Sequence, residues 1–327
     1  MVYEKLSASE YTTESKDRIS SLPDEILCRM MSFLTTKYAV GTSILSRRWS
    51  YTWTSVPDLD FDDTLTSHDS EHSNELLFVQ FVNRVLLLHS APIKKLRLKV
   101  TSNLVHIFKD VNLWICAAIM RNVEDLELDY SSLQLPQILF RCKTIKILKL
   151  HAAIGFNLTG LVCLPGFKVL HLQNMSVANL EKILHGSPVL EKLIVRRDPG
   201  DCYAFTLQAL SYTLKRLTIH QTKMKSIIHG SKHRVVVIAP KLEFLELKDH
   251  LSEKVYITKL SSPVNTIIDV SKSSGFQVLW LLRKIPKLSV LSLSADTVEA
   301  LCMVAGDRFP WFRYLTRLEV GADELDG

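Results

Sequence analysis

The sequence predicts an α/β chain: a three-helix module at the amino end, then an irregular solenoid whose repeated strands form one curved parallel β-sheet. Three observations predict it. A six-residue apolar pattern, L-x-x-L-x-L, recurs from residue 93 onward. In residues 17–55 the apolar residues fall instead at helical spacing. Hydrophobic residues make up 47% of the 327, enough for a large core.

Taken in order, residues 1–16 hold acids and no apolar run, which predicts a flexible start and excludes an ordinary secretory signal. The remainder has no 18-residue apolar stretch, so no membrane role is expected. The six cysteines lack paired spacing, which fits reduced thiols in the cytoplasm or nucleus; Cys142, Cys163 and Cys302 read as inert core thiols. A first unit spans 17–65. Ser21-Leu22-Pro23-Asp24-Glu25 is a helix start, with a serine to cap, a proline in the first turn and acids at the positive end of the dipole. Ile26, Leu27, Met30, Met31 and Leu34 give that helix one apolar face. Thr35-Thr36 can cap a second helix carrying Ala39, Val40 and Ile44, and Leu45, Trp49 and Trp53 mark a third. Three helices in about forty residues are too few to bury so many large side chains among themselves. Trp53 is expected to pack on the repeat behind the helices, and other apolar residues to meet a partner.

Leu22-Pro23, the helix after it, Leu45-Ser46-Arg47-Arg48-Trp49 and Trp53 resemble, without a gap from Asp17 to about Asp63, the F-box of the plant F-box/FBD/LRR group. Thr35 stands where that family usually has proline, and Met30-Met31 replaces branched aliphatics. The resemblance implies a module that docks on a Skp-type adaptor and, through it, a cullin scaffold. Carried over by residue, the implied adaptor contacts are Leu22, Pro23, Ile26, Leu27, Ile44, Leu45 and Trp49, with Arg48 at the rim. Arg47-Arg48 beside Trp49 is too small a basic run for nucleic acid, and none is expected.

Residues 66–327 are expected to be the solenoid. The pattern begins at 93, 123, 145, 167, 190, 214, 242, 265 (degenerate), 288 and 315. The spacings of 22 to 30 residues match leucine-rich repeats, whose units run to about 20–29 residues with one strand and a helical or irregular return. The chain thus holds about ten units. VPDLDFDD (56–63) can supply a lead-in strand, and 74–92 an amphipathic helix ended by Pro92, leaving little linker. The resembling family continues past such a pattern into an FBD segment, which the sequence up to Gly327 does not carry; the last strand then needs a cover for its edge.

Residues between the leucines point to the open face. The early units put Lys95, Arg97 and Lys99 beside Asp125, Glu127 and Asp129, which reads as cross-strand ion pairing. Lys149, His151, His171, Lys192, Arg196, Arg216 and His220 come next, in units that lack acids, and are the candidate substrate-facing residues for an acidic or phosphorylated segment. Residues 1–65 carry 7 Lys/Arg against 10 Asp/Glu, so the net +6 lies in the repeat. There is no phosphate-binding glycine loop, nucleophile elbow, H-E-x-x-H or C-x-x-C, and His229 with His233 brings no third ligand. No cofactor, metal or catalysis is expected. The functional expectation is a substrate-recruiting F-box subunit of an SCF-type ubiquitin ligase, its target unknown. The alternatives are a repeat scaffold without ubiquitination output and a receptor for a small anion.

Overall fold

The computed structural model describes residues 18–19, 21–65, 71–101, 107–130, 135–151, 158–174, 180–197, 206–221, 233–249, 252–258, 260–270, 275–285, 287–304 and 309–321. The stretch 1–16, Cys202 and His229 lie outside them. The strands are β1 (Asp58–Asp62), β2 (Lys95–Val100), β3 (Asp125–Tyr130), β4 (Ile147–His151), β5 (Val169–Gln173), β6 (Lys192–Arg197) and β7 (Thr206–Leu210). They continue as β8 (Arg216–Gln221), β9 (His233–Ile238), β10 (Phe244–Asp249), β11 (Ser252–Thr258), β12 (Val264–Asp269), β13 (Leu288–Leu293) and β14 (Arg317–Val320). The helices are α1 (Asp24–Met31), α2 (Thr36–Gly41), α3 (Trp49–Thr52), α4 (Glu71–Leu88), α5 (Ile107–Met120), α6 (Leu180–His185), α7 (Gly275–Lys284) and α8 (Ala295–Cys302).

Eleven strands form one sheet in the order β1-β2-β3-β4-β5-β6-β8-β10-β12-β13-β14, and each pairing is parallel. This is the lead-in strand plus the ten repeats. Strict alternation drives it: in β2 to β5 every second residue is buried, and the leucines of each L-x-L stack in register, Leu96 beside Leu126 beside Leu148 beside Leu170. No unit can cover its own leucines, so each takes its cover from its neighbours. Asn122, at a left-handed φ of 63°, turns the chain from α5 into β3.

Behind the sheet lies the return layer. Phe61 packs edge-on against Phe81, and Phe78 against Trp114, whose indole N–H donates to Asn83 at 2.7 Å. Two expectations need correction here. The returns after β6, β8 and β10 are strands, not helices or irregular links: β7, β9 and β11 form a second parallel sheet in the order β11-β9-β7. Leu207, Ala209, Val235, Val237 and Ile257 turn into the core, so two sheets pack face to face in this stretch. His233 therefore opens a strand and not a loop. The degenerate unit also lies two residues earlier than its pattern suggested: Thr266 and Ile268 stand beside Leu245 and Leu247.

The helical module closes the first edge of the sheet. Thr36 Oγ1 accepts the Asp60 N–H of β1 at 2.7 Å, an amide that an edge strand would otherwise leave bare. His89 Nε2 lies 2.8 Å from the Val56 carbonyl, and the Ser90 N–H donates to the Thr54 carbonyl at 3.0 Å. Burial pushes the His89 pKa down, so it sits there neutral. At the other edge β14 pairs with β13, and its Leu318 and Val320 are exposed.

Candidate outward apolar face and open sheet face

α1 begins after Pro23 with Asp24 and Glu25 in its first turn. No side chain caps it: the Ser21 hydroxyl donates instead to the Arg18 carbonyl at 2.7 Å. α2 likewise lacks a side-chain cap from Thr35. The second predicted helix ends in a 3-10 turn at Thr42–Ile44, and the third is reduced to the four residues of α3 and a 3-10 turn at Trp53–Ser55.

The apolar residues of this module divide between two surfaces. Leu27 is 0% exposed, Met31 1%, and Trp49 and Trp53 5% each. They pack inward, one turn apart on α1 and one turn apart at α3, and join one buried core that continues into the repeat, as expected for Trp53. Leu27 and Trp49, carried over as adaptor contacts, are thereby corrected: they have almost no surface to offer and support the face from beneath. Ile26, Pro23, Ile44 (90%) and Leu45 (64%) are exposed, and Leu22 is half-buried. Phe33 (82%), Tyr38 and Tyr51 are exposed as well, and sequence reasoning missed them. A phenylalanine just beyond the last helical turn was the available signal. Arg48, expected at the rim, is exposed and also acts as a strut. Its Nη2 lies 2.7 Å from Asp24 Oδ1 and also donates to the Leu22 carbonyl, which ties the start of α1 to the start of α3.

On the open face the first four strands are laced together. Arg97 reaches Asp60 at 2.9 Å and Glu127 at 3.3 Å; Lys99 reaches Asp62 at 3.3 Å; Lys149 reaches Glu127 at 3.1 Å. Hydrogen bonds and the facing cations hold the Asp62 and Glu127 carboxyls low against the opposing effect of burial. Burial pushes Asp125 up. Lys149 is therefore a member of this lattice and not a cation waiting for substrate.

Further along, His151 and His171 lie ring to ring, centroids 5.2 Å apart. His171 is pushed down to about 4, first by burial and then by His151, Arg196 and Lys149, so it is neutral. His220 Nε2 lies 2.8 Å from Glu246 Oε1, and that contact leads the causes holding Glu246 low. These units supply no acid to the open face themselves; Glu246 reaches His220 from β10, in the following unit. Arg196 and Arg216 are exposed, Lys192 is half-buried, and Arg216 stacks on the Phe244 ring at 5.2 Å.

Among the described residues, no three His, Cys, Asp or Glu side chains gather to hold a metal ion, and no helix is long and apolar enough to cross a membrane. Cys142 is buried as expected, but Cys163 and Cys302 are exposed, although their neighbours Leu164 and Leu301 are buried.

Residues 19–60 match the F-box domain model, and residues 111–304 match the model for the leucine-rich repeats of the FBD-associated F-box protein At5g56370. Among similar proteins, the Arabidopsis thaliana F-box/FBD/LRR-repeat protein At5g56420 is 33% identical over 86% of this chain and 67% of its own length. F-box/FBD/LRR-repeat protein At4g26340 of the same plant is 32% identical over 88% of this chain and 67% of its own. The putative F-box/LRR-repeat protein At4g15060 is 34% identical over 73% of this chain, which spans 57% of that relative.

Proposed function

The chain belongs to the plant F-box/FBD/LRR-repeat family, and from that premise we propose that it is a substrate-recruiting subunit of an SCF-type ubiquitin ligase. The helical module docks on a Skp-type adaptor, which connects it to a cullin scaffold, and the open sheet face holds the target. It makes and breaks no bonds; the rate gain comes from holding the target beside a ubiquitin-transferring enzyme.

One observation carries the reading: the module keeps Ile26, Ile44, Leu45 and Phe33 outside while Leu27, Met31, Trp49 and Trp53 are buried in the core it shares with the repeat. Uncovered apolar side chains of this size on a folded module mark a surface that another protein covers. The proposed contacts are Leu22, Pro23, Ile26, Ile44 and Leu45, with Leu27 and Trp49 as the packing that holds them in place. Copurification with a Skp-type adaptor tests it. Replacing Ile44 and Leu45 together by aspartate is expected to abolish adaptor recovery while the chain stays folded. Undiminished recovery counts against the contact surface. Ubiquitination of a captured target, reconstituted with the cullin complex, separates a ligase subunit from a scaffold.

A further inference from the structure

Where the lattice of ion pairs stops, three cations stand without a carboxylate partner among the described residues: Lys192, Arg196 and Arg216. The register shows how they are arranged. Lys192 is paired with Arg216 across β6 and β8, and four residues on, Arg196 is paired with His220. Adjacent strands are about 4.8 Å apart and four strand residues advance about 13 Å. The basic side chains thus occupy the ends of a small rectangle. Its middle holds the pair Ile194 and Thr218, both short, with Thr218 buried. Long side chains from either end can reach over that low floor, Arg216 by leaving the Phe244 ring of β10 on which its guanidinium rests at 5.2 Å. Glu246, the next residue across from Thr218, is occupied: His220 lies at 2.8 Å, the Thr218 hydroxyl donates to it at 3.3 Å and Lys248 stands at 3.9 Å.

We propose that this patch receives one phosphorylated side chain of an extended protein segment, its phosphoryl group held over Ile194 and Thr218 by Lys192, Arg196 and Arg216. It rests on the reading of the open face as the target side. Three cations within reach of one point suit a single dianion with three acceptor oxygens better than a string of carboxylates. A nucleic-acid backbone fits worse. It would run from this patch into Glu127 and Asp129 on one flank and Glu246 and Asp269 on the other, with no continuous basic track. An open sheet face also lacks the walls with which a protein buries most of a small ligand, whereas a segment laid across strands needs none. His171 lies beside Ile194 in the register and supplies a built-in reporter. Arg196 is among the groups that keep its proton affinity low, so an anion bound to Arg196 raises that affinity.

The test uses the full chain and a randomised peptide pool with one fixed phosphoserine or phosphothreonine, set against the same pool unphosphorylated and against single-stranded RNA. Expected is retention of the phosphorylated pool alone, competed by inorganic phosphate. Arg196→Gln and Lys192→Gln should each weaken it by about tenfold or more, and Lys95→Gln should leave it unchanged. Titration of His171 followed by NMR should move to higher pH when the phosphorylated pool is added, and should not in Arg196→Gln. Equal retention of both pools, preference for RNA, or indifference to Arg196→Gln overturns the proposal. Adaptor capture scored on the same samples reports only on the helical module, so either reading can fail without the other.

Discussion

Leu126, Leu170 and Leu217 in the repeat strands are each 0% exposed, whereas Ile44, Leu45 and Phe33 of the helical module lie largely in solvent. Both regions are rich in the same apolar side chains. In the sheet each leucine meets leucines of the neighbouring strands, so every residue in the row is needed for stability. In the module, Leu27, Met31, Ala39, Trp49 and Trp53 are buried and Leu22, Cys28 and Val40 pack against the same core, while Phe33, Ile44 and Leu45 stay outside it. One region spends its hydrophobic surface on folding; the other keeps it for association.

Substitutions should expose this contrast. The largest effect is expected from Leu170→Ala, which removes a fully buried side chain and leaves a hole: about 2–5 kcal/mol of stability, read by chemical denaturation. Ile44→Ala with Leu45→Ala should shift stability by no more than about 0.5 kcal/mol. The same pair should weaken adaptor binding by about 2 kcal/mol or more, read by calorimetry. A stability loss as large as that of Leu170→Ala would erase the distinction between the two regions.

Acid sharpens it next. His171 is neutral in the fold, with its pKa pushed down to about 4 from an ordinary value near 6.5. Its contribution is complete above pH 6.5 and is lost as pH falls from there towards 4, as the unfolded chain takes up the proton first. For a half-buried group the loss is on the order of 2 kcal/mol. His89, also held neutral, adds to it in the same direction. Thermal melts across that range should fall steeply, and His171→Gln should flatten part of the slope. The smallest effect belongs to the partly exposed ion pairs: Arg97→Ala should cost about 0.5–1 kcal/mol, and less in high salt. A loss of several kcal/mol would make the lattice of β1 to β4 a principal source of stability.

Much of the sheet was legible because its requirement is local and strict. An inward side chain, mostly leucine, is needed at two alternate positions of each strand, so the ten patterns located the ten strands, β12 with a shift of two residues. The return layer is less constrained, since any short element that buries a few apolar atoms will close a unit. The run Arg234-Val235-Val236-Val237-Ile238 was the one strong β signal there, and it was passed over. Thr266 hid the register of β12 because a buried threonine fills a leucine position. At the module, Ile26 and Leu27 lie on adjacent stripes of a short helix with apolar residues on both. Spacing revealed the width of the apolar surface but not which half the chain itself would cover. The ion pairs of Arg48 and Lys149 were not legible for a related reason: the carboxylates they engage come from segments more than twenty residues away.

The strands behind β6 to β12 bear on how the molecule bends. A strand occupies about 4.8 Å of the stack per turn, and a packed helix about 8–10 Å. With helices at the back, as in α4 and α5, the rear outgrows the front and the coil must arch. With β7, β9 and β11 at the back, front and rear advance in step and the arch relaxes. On that spacing the sheet is expected to arch less over β6, β8 and β10 than where helices back it, which would give a chain laid there level ground.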